Sequence, residues 1–173
     1  MISYTDSEVR TFHPLCEKAL TQAIAALGLS SIYEAKHHVY TGSLEMDYVV
    51  INKTTGKYLC VIEVKRTPSD VQSTRYQFQA QSYVQSNMAV TEKPFYIITN
   101  LEKLISFRYD VHKPSVHQQV LEPGLENVCD FSADDENSIV NKLALVFQRL
   151  LDDFINNRYA MIFLPALIWW ISI

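Results

Sequence analysis

Glycine is scarce in this chain, which has four glycines in 173 residues. Loops that hold the phosphates of a nucleotide need several closely spaced glycines, because only glycine lets the backbone approach a phosphate so closely. Four scattered glycines leave no room for such a loop. We therefore expect no nucleotide-driven motor in this sequence.

Cysteine is also scarce: there are three cysteines, an odd number, with no Cys-x-x-Cys pair. Cys16 and Cys60 lie in apolar stretches typical of a protein core. A disulfide framework is not indicated, so a reducing, cytoplasmic setting is the default expectation. The five histidines show none of the ligand spacings of the His-Glu-x-x-His kind, so the sequence predicts no zinc site. Nothing near the N terminus predicts a signal peptide.

Positive charge is in deficit, with 15 Lys and Arg against 19 Asp and Glu, a net charge of -4 and a pI of about 5.7. A protein that coats nucleic acid generally is usually basic, and that class is disfavoured here. A local groove can still be positive in an acidic protein. The balance fits a domain that acts beside other nucleic-acid-binding parts better than a self-sufficient sequence reader.

Two apolar, β-branched runs, residues 44–51 and 58–64, flank a polar segment that contains Thr-Thr-Gly. This pattern predicts a β-hairpin. If the hairpin folds about the polar segment, Asp47 comes level with Ile62 or Glu63. The hairpin therefore brings acidic residues of both strands close together.

Side chains alternate across a strand, so Glu63 and Lys65 share one face of the hairpin. Together with Asp47 they place two carboxylates and an ammonium on otherwise apolar strands. Burying charge costs free energy unless the charge is paired or binds a metal. The pattern predicts a Mg²⁺ site with a lysine beside it, and the alternative is a plain solvated strand.

Residues 71–88 lack Gly and Pro and read as a helix, which Ser69 or Asp70 is placed to cap. A stripe of residues four apart runs along this helix: Arg75, Gln79 and Tyr83. The alternative is a polar face that meets solvent, since glutamines at the same spacing form a rival stripe: Gln77, Gln81 and Gln85.

The order Asp, Glu-x-Lys and Gln-x-x-x-Tyr resembles the PD-(D/E)xK nuclease superfamily, most closely the N-terminal nuclease domain of type I restriction endonuclease R subunits. The similarity covers roughly residues 6–110 and includes a strand ending in Thr-Asn at residues 95–100. The Pro of the nominal motif is absent, because Met46 precedes Asp47. The nearest glycine, Gly42, is five residues before Asp47, where the family often has Gly-x-x-Asp.

The resemblance implies Mg²⁺-dependent hydrolysis of phosphodiester bonds in DNA, with Mn²⁺ as a substitute metal. Asp47, Glu63 and the backbone carbonyl of Val64 offer the hard oxygen ligands that Mg²⁺ prefers. Lys65 can orient or deprotonate the attacking water, or balance charge at the phosphorus. The residues expected to position ligands or backbone phosphate are Gln79, Tyr83, Arg75 and Arg66. Arg66 and the Lys-His-His run at residues 36–38 are equally well explained as simple surface.

The resemblance also implies an additional acidic residue on the first helix. Glu8 is the first candidate and Glu17 the second. Thr5-Asp6-Ser7-Glu8 also has the spacing of a capping box, in which Glu8 would bond back to the amide of the N-cap residue. Both interpretations of Glu8 remain open at this point, whereas Glu17 also fits an ordinary solvated helix position.

The expected fold is a restriction-endonuclease-like α/β core: a helix, a central mixed sheet of about four strands, the Gln-Tyr helix on one face and an amphipathic helix over residues 134–157 on another. Residues 111–129 read as loop with at most one short strand. Residues 1–158 form a single nuclease domain. Residues 159–173 form an apolar tail that is short for a membrane span; it is a core element, a partner-seeking surface, or the edge of a truncated or frame-shifted longer gene.

Two functions follow from these observations. The first is a Mg²⁺-dependent DNA endonuclease, and the second is a non-cleaving nuclease-fold module that binds nucleic acid or a protein partner. The expected partners are DNA and the helicase or motor and specificity subunits of a restriction system. No small-molecule cofactor and no membrane association are expected.

Overall fold

The computed structural model describes residues 2–109, 118–119 and 125–158. The apolar tail over residues 159–173 lies outside the described residues, so its interpretation stays a prediction. The helices are α1 (His13–Ala26), α2 (Pro68–Gln72), α3 (Thr74–Ser86) and α4 (Glu136–Asn156). The strands are β1 (Tyr33–Thr41), β2 (Leu44–Asn52), β3 (Tyr58–Val64), β4 (Thr91–Thr99), β5 (Lys103–Arg108), β6 (Gln118–Gln119) and β7 (Glu126–Asn127). A π-helical turn (Glu8–Phe12) leads into α1, and a 3-10 turn (Met88–Val90) leads into β4.

The strands form one mixed sheet in the order β1-β2-β3-β4-β5-β6, and β7 pairs with β5 as well. β1, β2 and β3 are antiparallel neighbours, β3 and β4 are parallel, and β4 and β5 are antiparallel. The parallel pair is joined by α2 and α3, because parallel neighbours need a crossover connection. The predicted mixed sheet flanked by helices is confirmed.

The prediction of about four strands is too low, since the main path of the sheet orders six strands within the described residues. The sequence pattern does not predict β1, because this strand has no continuous apolar run. Its residues alternate between half-buried and exposed, as they do in a strand at the edge of a sheet. β6 and β7 have two residues each, which is too short for any periodic signal.

Apolar residues cover both faces of the sheet. Helices α1 and α4 pack against each other over one face, and α3 packs over the other. Alternation assigns the strand residues: Ile62 joins the α1–α4 core, whereas Val61 joins the core beneath α3. Phe154 of α4 stacks on Phe95 of β4 with ring centroids 4.0 Å apart. Each fully buried side chain of this size stabilises the fold by about 1.5–3 kcal/mol.

The helix predicted over residues 71–88 is two helices, because Ser73 between α2 and α3 has an extended backbone. The predicted caps, Ser69 and Asp70, are wrong. Thr67 caps α2, and its hydroxyl accepts the Asp70 N–H at 3.2 Å. Pro68 then occupies the first turn, where its missing N–H costs nothing.

Helix α4 agrees with the amphipathic helix predicted over residues 134–157, apart from residues at each end. Asp135 caps it by accepting the Ser138 N–H at 2.7 Å. Most of its apolar side chains, including Leu143 and Phe147, are buried, whereas Leu145 is exposed. In the described part of the chain, no helix has both the length and the apolar character needed to cross a membrane.

Candidate metal centre

The β2–β3 hairpin brings the two acidic residues together. Tyr48 lies opposite Ile62 in the antiparallel ladder, which sets Asp47 opposite Glu63. The turn uses Gly56 with a φ of +68°, a left-handed conformation that glycine adopts without a Cβ penalty. The predicted register of the hairpin is therefore confirmed.

Lys65 lies between the two carboxylates. Its Nζ is 2.6 Å from Glu63 Oε1 and 3.9 Å from Asp47 Oδ2. The Val64 N–H also donates to Asp47 Oδ2, at 2.8 Å, and orients that carboxylate. The side chains of Glu63, Lys65 and Asp47 are only 2%, 10% and 16% exposed. The two carboxylates and the ammonium thus meet in a nearly buried position, while their catalytic and metal-binding roles stay predictions.

Helix α3 contributes the Gln-x-x-x-Tyr pair. Gln79 Nε2 donates to Glu63 Oε1 at 3.1 Å and also contacts the hydroxyl of the buried Tyr83. By contrast Gln77, from the rival stripe, donates to the backbone carbonyl of Gln72. The spacing of four residues places Gln79 and Tyr83 side by side over the carboxylate.

The charges of the centre are strongly coupled. Burial raises the pKa of Glu63 to about 7; the Asp47 carboxylate adds to the rise, and the Lys65 ammonium opposes it. Burial also opposes the charged form of Lys65, but the carboxylates of Glu63 and Asp47 outweigh that effect and raise its pKa. Lys65 is therefore an ammonium at neutral pH.

Glu63 has one oxygen to spare. Within the described residues its buried Oε2 has no hydrogen-bond partner. Leaving a buried acceptor without a partner costs about 1–3 kcal/mol. A hard cation would satisfy this oxygen, and Mg²⁺ prefers carboxylate oxygens, so these residues fit the predicted metal. Val64 ends β3, and its carbonyl remains a predicted ligand.

Glu8 lies close to this centre. Burial raises its pKa, the Lys65 charge lowers it and the Asp47 charge raises it, so it is electrostatically coupled to both. The capping-box interpretation is wrong: Ser7 is the N-cap and accepts the Arg10 N–H, which makes Glu8 the first residue of the π-helical turn. The second candidate, Glu17, is exposed on α1.

Comparison with known proteins shows the family to which this chain is related. The model of a family described as the BpuSI N-terminal domain matches residues 2–153. The chain belongs to this family. A solved structure, that of the type IIG restriction endonuclease BpuSI, matches with a TM-score of 0.85 and 46% sequence identity over 91% of this chain. The match covers 18% of that chain. No curated protein matches.

The family relationship confirms the restriction-enzyme resemblance that the motifs indicated. The solved relative is a type IIG enzyme, so the closer likeness to type I R subunits remains an expectation from motif order. The PD-(D/E)xK assignment and the metal likewise remain expectations from the sequence.

The predicted phosphate-contacting arginines lie beside the centre. Arg66 follows Lys65 directly and is exposed, and Arg75 is exposed on α3. The guanidinium of Arg75 lies 5.5 Å from the centre of the Tyr76 ring, and Lys65 Nζ lies 4.8 Å from the same ring. The Tyr76 ring therefore contacts both the buried lysine and the exposed arginine. The sequence pattern did not indicate this residue.

A histidine cluster was also missed. One ring nitrogen from each of His13 of α1 and His37 and His38 of β1 lies within 4.8 Å of the other two. His13 Nε2 lies 3.9 Å from Asp47 Oδ1, so the cluster borders the carboxylates. Burial, more than any neighbouring charge, lowers the pKa of His13. The spacing of histidines along the chain did not predict a zinc site, because the cluster forms by packing of α1 against β1. The one local indication was the pair of adjacent histidines at residues 37–38.

Proposed function

We propose that the chain is a Mg²⁺-dependent DNA endonuclease module of the PD-(D/E)xK type, with motifs in the order found in type I restriction R subunits. One observation carries the proposal: Asp47, Glu63 and Lys65 meet in a nearly buried position with Gln79 fixed on Glu63. A module that only binds has no need to bury two carboxylates and an ammonium together, because burying charge costs free energy.

Asp47 and Glu63 would hold the metal, with the carbonyl of Val64 as a further ligand. The unpartnered Glu63 Oε2 supports this role. When bound there, Mg²⁺ supplies an acidified water and offsets the negative charge that develops on the phosphate. Gln79 and Tyr83 position Glu63 and prevent its carboxylate from rotating away.

Lys65 acts as a charged donor in this proposal. Its raised pKa makes it a poor general base at neutral pH, since it holds its proton. An ammonium in this position can orient the attacking water and stabilise charge on the phosphate. Tyr76 lies over the ammonium and limits its movement.

Arg66 and Arg75 would contact DNA phosphates, which is a positioning role without sequence information. The solved relative is much longer than this chain, so target choice belongs to other parts of such an enzyme in our proposal. Motor or specificity subunits remain expected partners on the resemblance to type I systems alone.

The test is nicking of supercoiled plasmid by the 173-residue chain in Mg²⁺ or Mn²⁺. We expect nicking by wild type and a loss of at least about 100-fold in Lys65→Met and in Asp47→Asn. Lys57→Ala is the matched control, because it removes an exposed lysine from the turn of the same hairpin. Its activity should equal that of wild type.

Each outcome has a definite meaning. Nicking that survives both site substitutions would refute this centre. If wild type does not nick, calorimetric titration with Mg²⁺ and Mn²⁺ separates two cases. Metal binding that Asp47→Asn abolishes would indicate a nuclease that needs a partner. No metal binding would favour the non-cleaving module that binds nucleic acid or protein.

A further inference from the structure

The histidine cluster depends on an unusual backbone conformation. Successive residues in a strand normally point to opposite faces, so His37 and His38 should diverge. His38 instead has a φ of +50°, and its ring lies only 3.6 Å, centre to centre, from the ring of His37. A left-handed conformation costs an L-residue about 1–2 kcal/mol. In β1 this unfavourable conformation occurs at His38, and it brings the imidazole of His38 to the cluster.

The other two rings are held in place by packing. His37 stacks on the Tyr48 ring with centroids 4.5 Å apart and planes 10° apart. His13 is 2% exposed, and the Tyr48 hydroxyl donates to its backbone carbonyl at 2.9 Å. His13 Nδ1 then lies 2.8 Å from His37 Nε2. The nitrogens that face each other are therefore fixed by buried neighbours.

Carboxylates face the outer nitrogens of two of these rings. His38 Nδ1 lies 2.5 Å from Glu45 Oε1, which leaves Nε2 of that ring as the ligand atom. His13 Nε2 faces Asp47 Oδ1 at 3.9 Å and has no hydrogen-bond partner among the described residues. Metal-binding histidines almost always turn their second nitrogen to a carboxylate, a carbonyl or water, which fixes the ring and the tautomer.

We propose that His13, His37 and His38 form a second metal site, for a transition metal of the Zn²⁺ class, beside the carboxylate centre. Imidazole nitrogen suits Zn²⁺, Cu²⁺, Ni²⁺ and Fe²⁺, whereas Mg²⁺ prefers oxygen, so the two sites select different ions. Three histidines leave a fourth position for water.

The three ligand nitrogens lie within 4.8 Å of one another, so the most distant pair would approach by up to about 1.5 Å to reach tetrahedral spacing. With Zn–N bonds of 2.0–2.1 Å, neighbouring ligand nitrogens in a tetrahedron lie about 3.3 Å apart. His13 Nδ1 and His37 Nε2, now 2.8 Å apart, would separate by about 0.5 Å. The ligands bind as neutral imidazoles, so the charge that binding brings to this site is that of the ion itself.

The experiment is a Co²⁺ titration of tag-free, metal-stripped protein in excess Mg²⁺, followed by visible absorption and then by Zn²⁺ displacement. Excess Mg²⁺ competes with Co²⁺ for the oxygen ligands. We expect one Co²⁺ per chain, displaced by Zn²⁺. His37→Ala and His38→Ala should each weaken binding by more than about 100-fold, and Glu45→Gln by about 10- to 100-fold.

Three controls make the assignment specific. Glu63→Gln alters the carboxylate centre, Cys129→Ser removes the partly exposed thiol, and a His112→Ala and His117→Ala double variant removes the remaining histidines. All three should bind Co²⁺ as wild type does. Absence of Co²⁺ binding would overturn the proposal, and so would binding that persists in His37→Ala and His38→Ala or disappears in the histidine double variant. Circular dichroism of each variant excludes loss of fold as the cause.

Discussion

Glu63→Gln should make the metal-free protein more stable above pH 7. Glu63 is 2% exposed, and its pKa of about 7 lies well above the ordinary 4.5. A difference of this size corresponds to about 3 kcal/mol, at 1.36 kcal/mol for each pKa unit. Because the folded-state pKa is raised, folding favours the protonated carboxyl. The stability of wild type therefore falls as pH rises from about 4.5 to 7, and stays reduced above that range.

Glutamine imitates the protonated carboxyl, since it is neutral, has nearly the same shape and still accepts a hydrogen bond from Lys65. The two proteins should be equally stable near pH 4.5, and the variant should be more stable by about 3 kcal/mol at pH 8. Urea unfolding in EDTA, followed by circular dichroism at several pH values, measures this difference. Titrating groups remote from the centre cancel in the comparison because both proteins contain them, whereas Lys65, Asp47 and Glu8 interact with Glu63 and contribute to the difference.

Addition of Mg²⁺ should reverse the order at pH 8. A ligand that binds only the folded state stabilises it, and at one thousand times its Kd the gain is about 4.1 kcal/mol, which exceeds the advantage of the variant. Wild type should gain this stability and Glu63→Gln should not. A variant that is less stable than wild type in EDTA at pH 8 would refute the argument, since it would show that the pairing with Lys65 outweighs the cost of burying the charge.

Two further substitutions test the fold. Asp135→Ala removes the cap that accepts the Ser138 N–H, and it should lower the free energy of unfolding by about 1 kcal/mol in thermal melting; an unchanged Tm would contradict the cap. Phe154→Ala empties a fully buried position stacked on Phe95, and it should cost about 3–5 kcal/mol in urea unfolding. Leu145→Ala, on the exposed side of α4, is its control and should cost under 1 kcal/mol.

Strong local patterns made part of the fold predictable. The β2–β3 hairpin has two apolar runs around a polar turn, and α4 has a regular apolar stripe over almost its whole length. β1 was not predictable in this way, since an edge strand is stabilised by pairing with β2 more than by its own composition. The break at Ser73 is not predictable for a similar reason. Helix propensity indicates the conformation of a segment only weakly, and tertiary packing overrides it.

The same distinction between local sequence patterns and tertiary packing applies to the residues of the candidate site. Alternation along β3 was enough to place Glu63 and Lys65 together, and the hairpin register added Asp47. The histidine cluster depends on the contact between α1 and β1 and on the left-handed backbone of His38, neither of which has a local signature. Sequence patterns therefore reveal residues that share an element more readily than residues brought together by packing.

Several unfavourable features of the described structure lie where β2 and β3 meet the start of α1. Glu63 is buried with an unpartnered oxygen, Lys65 is a buried ammonium, and His38 holds a left-handed backbone nearby. Residues that break local rules in this way are expected where function rather than stability selects them. The apolar cores on both faces of the sheet stabilise the fold and offset the free-energy cost of this arrangement. A bound cation would relieve the buried carboxylate, so substitutions that stabilise the metal-free protein at this end should weaken metal binding.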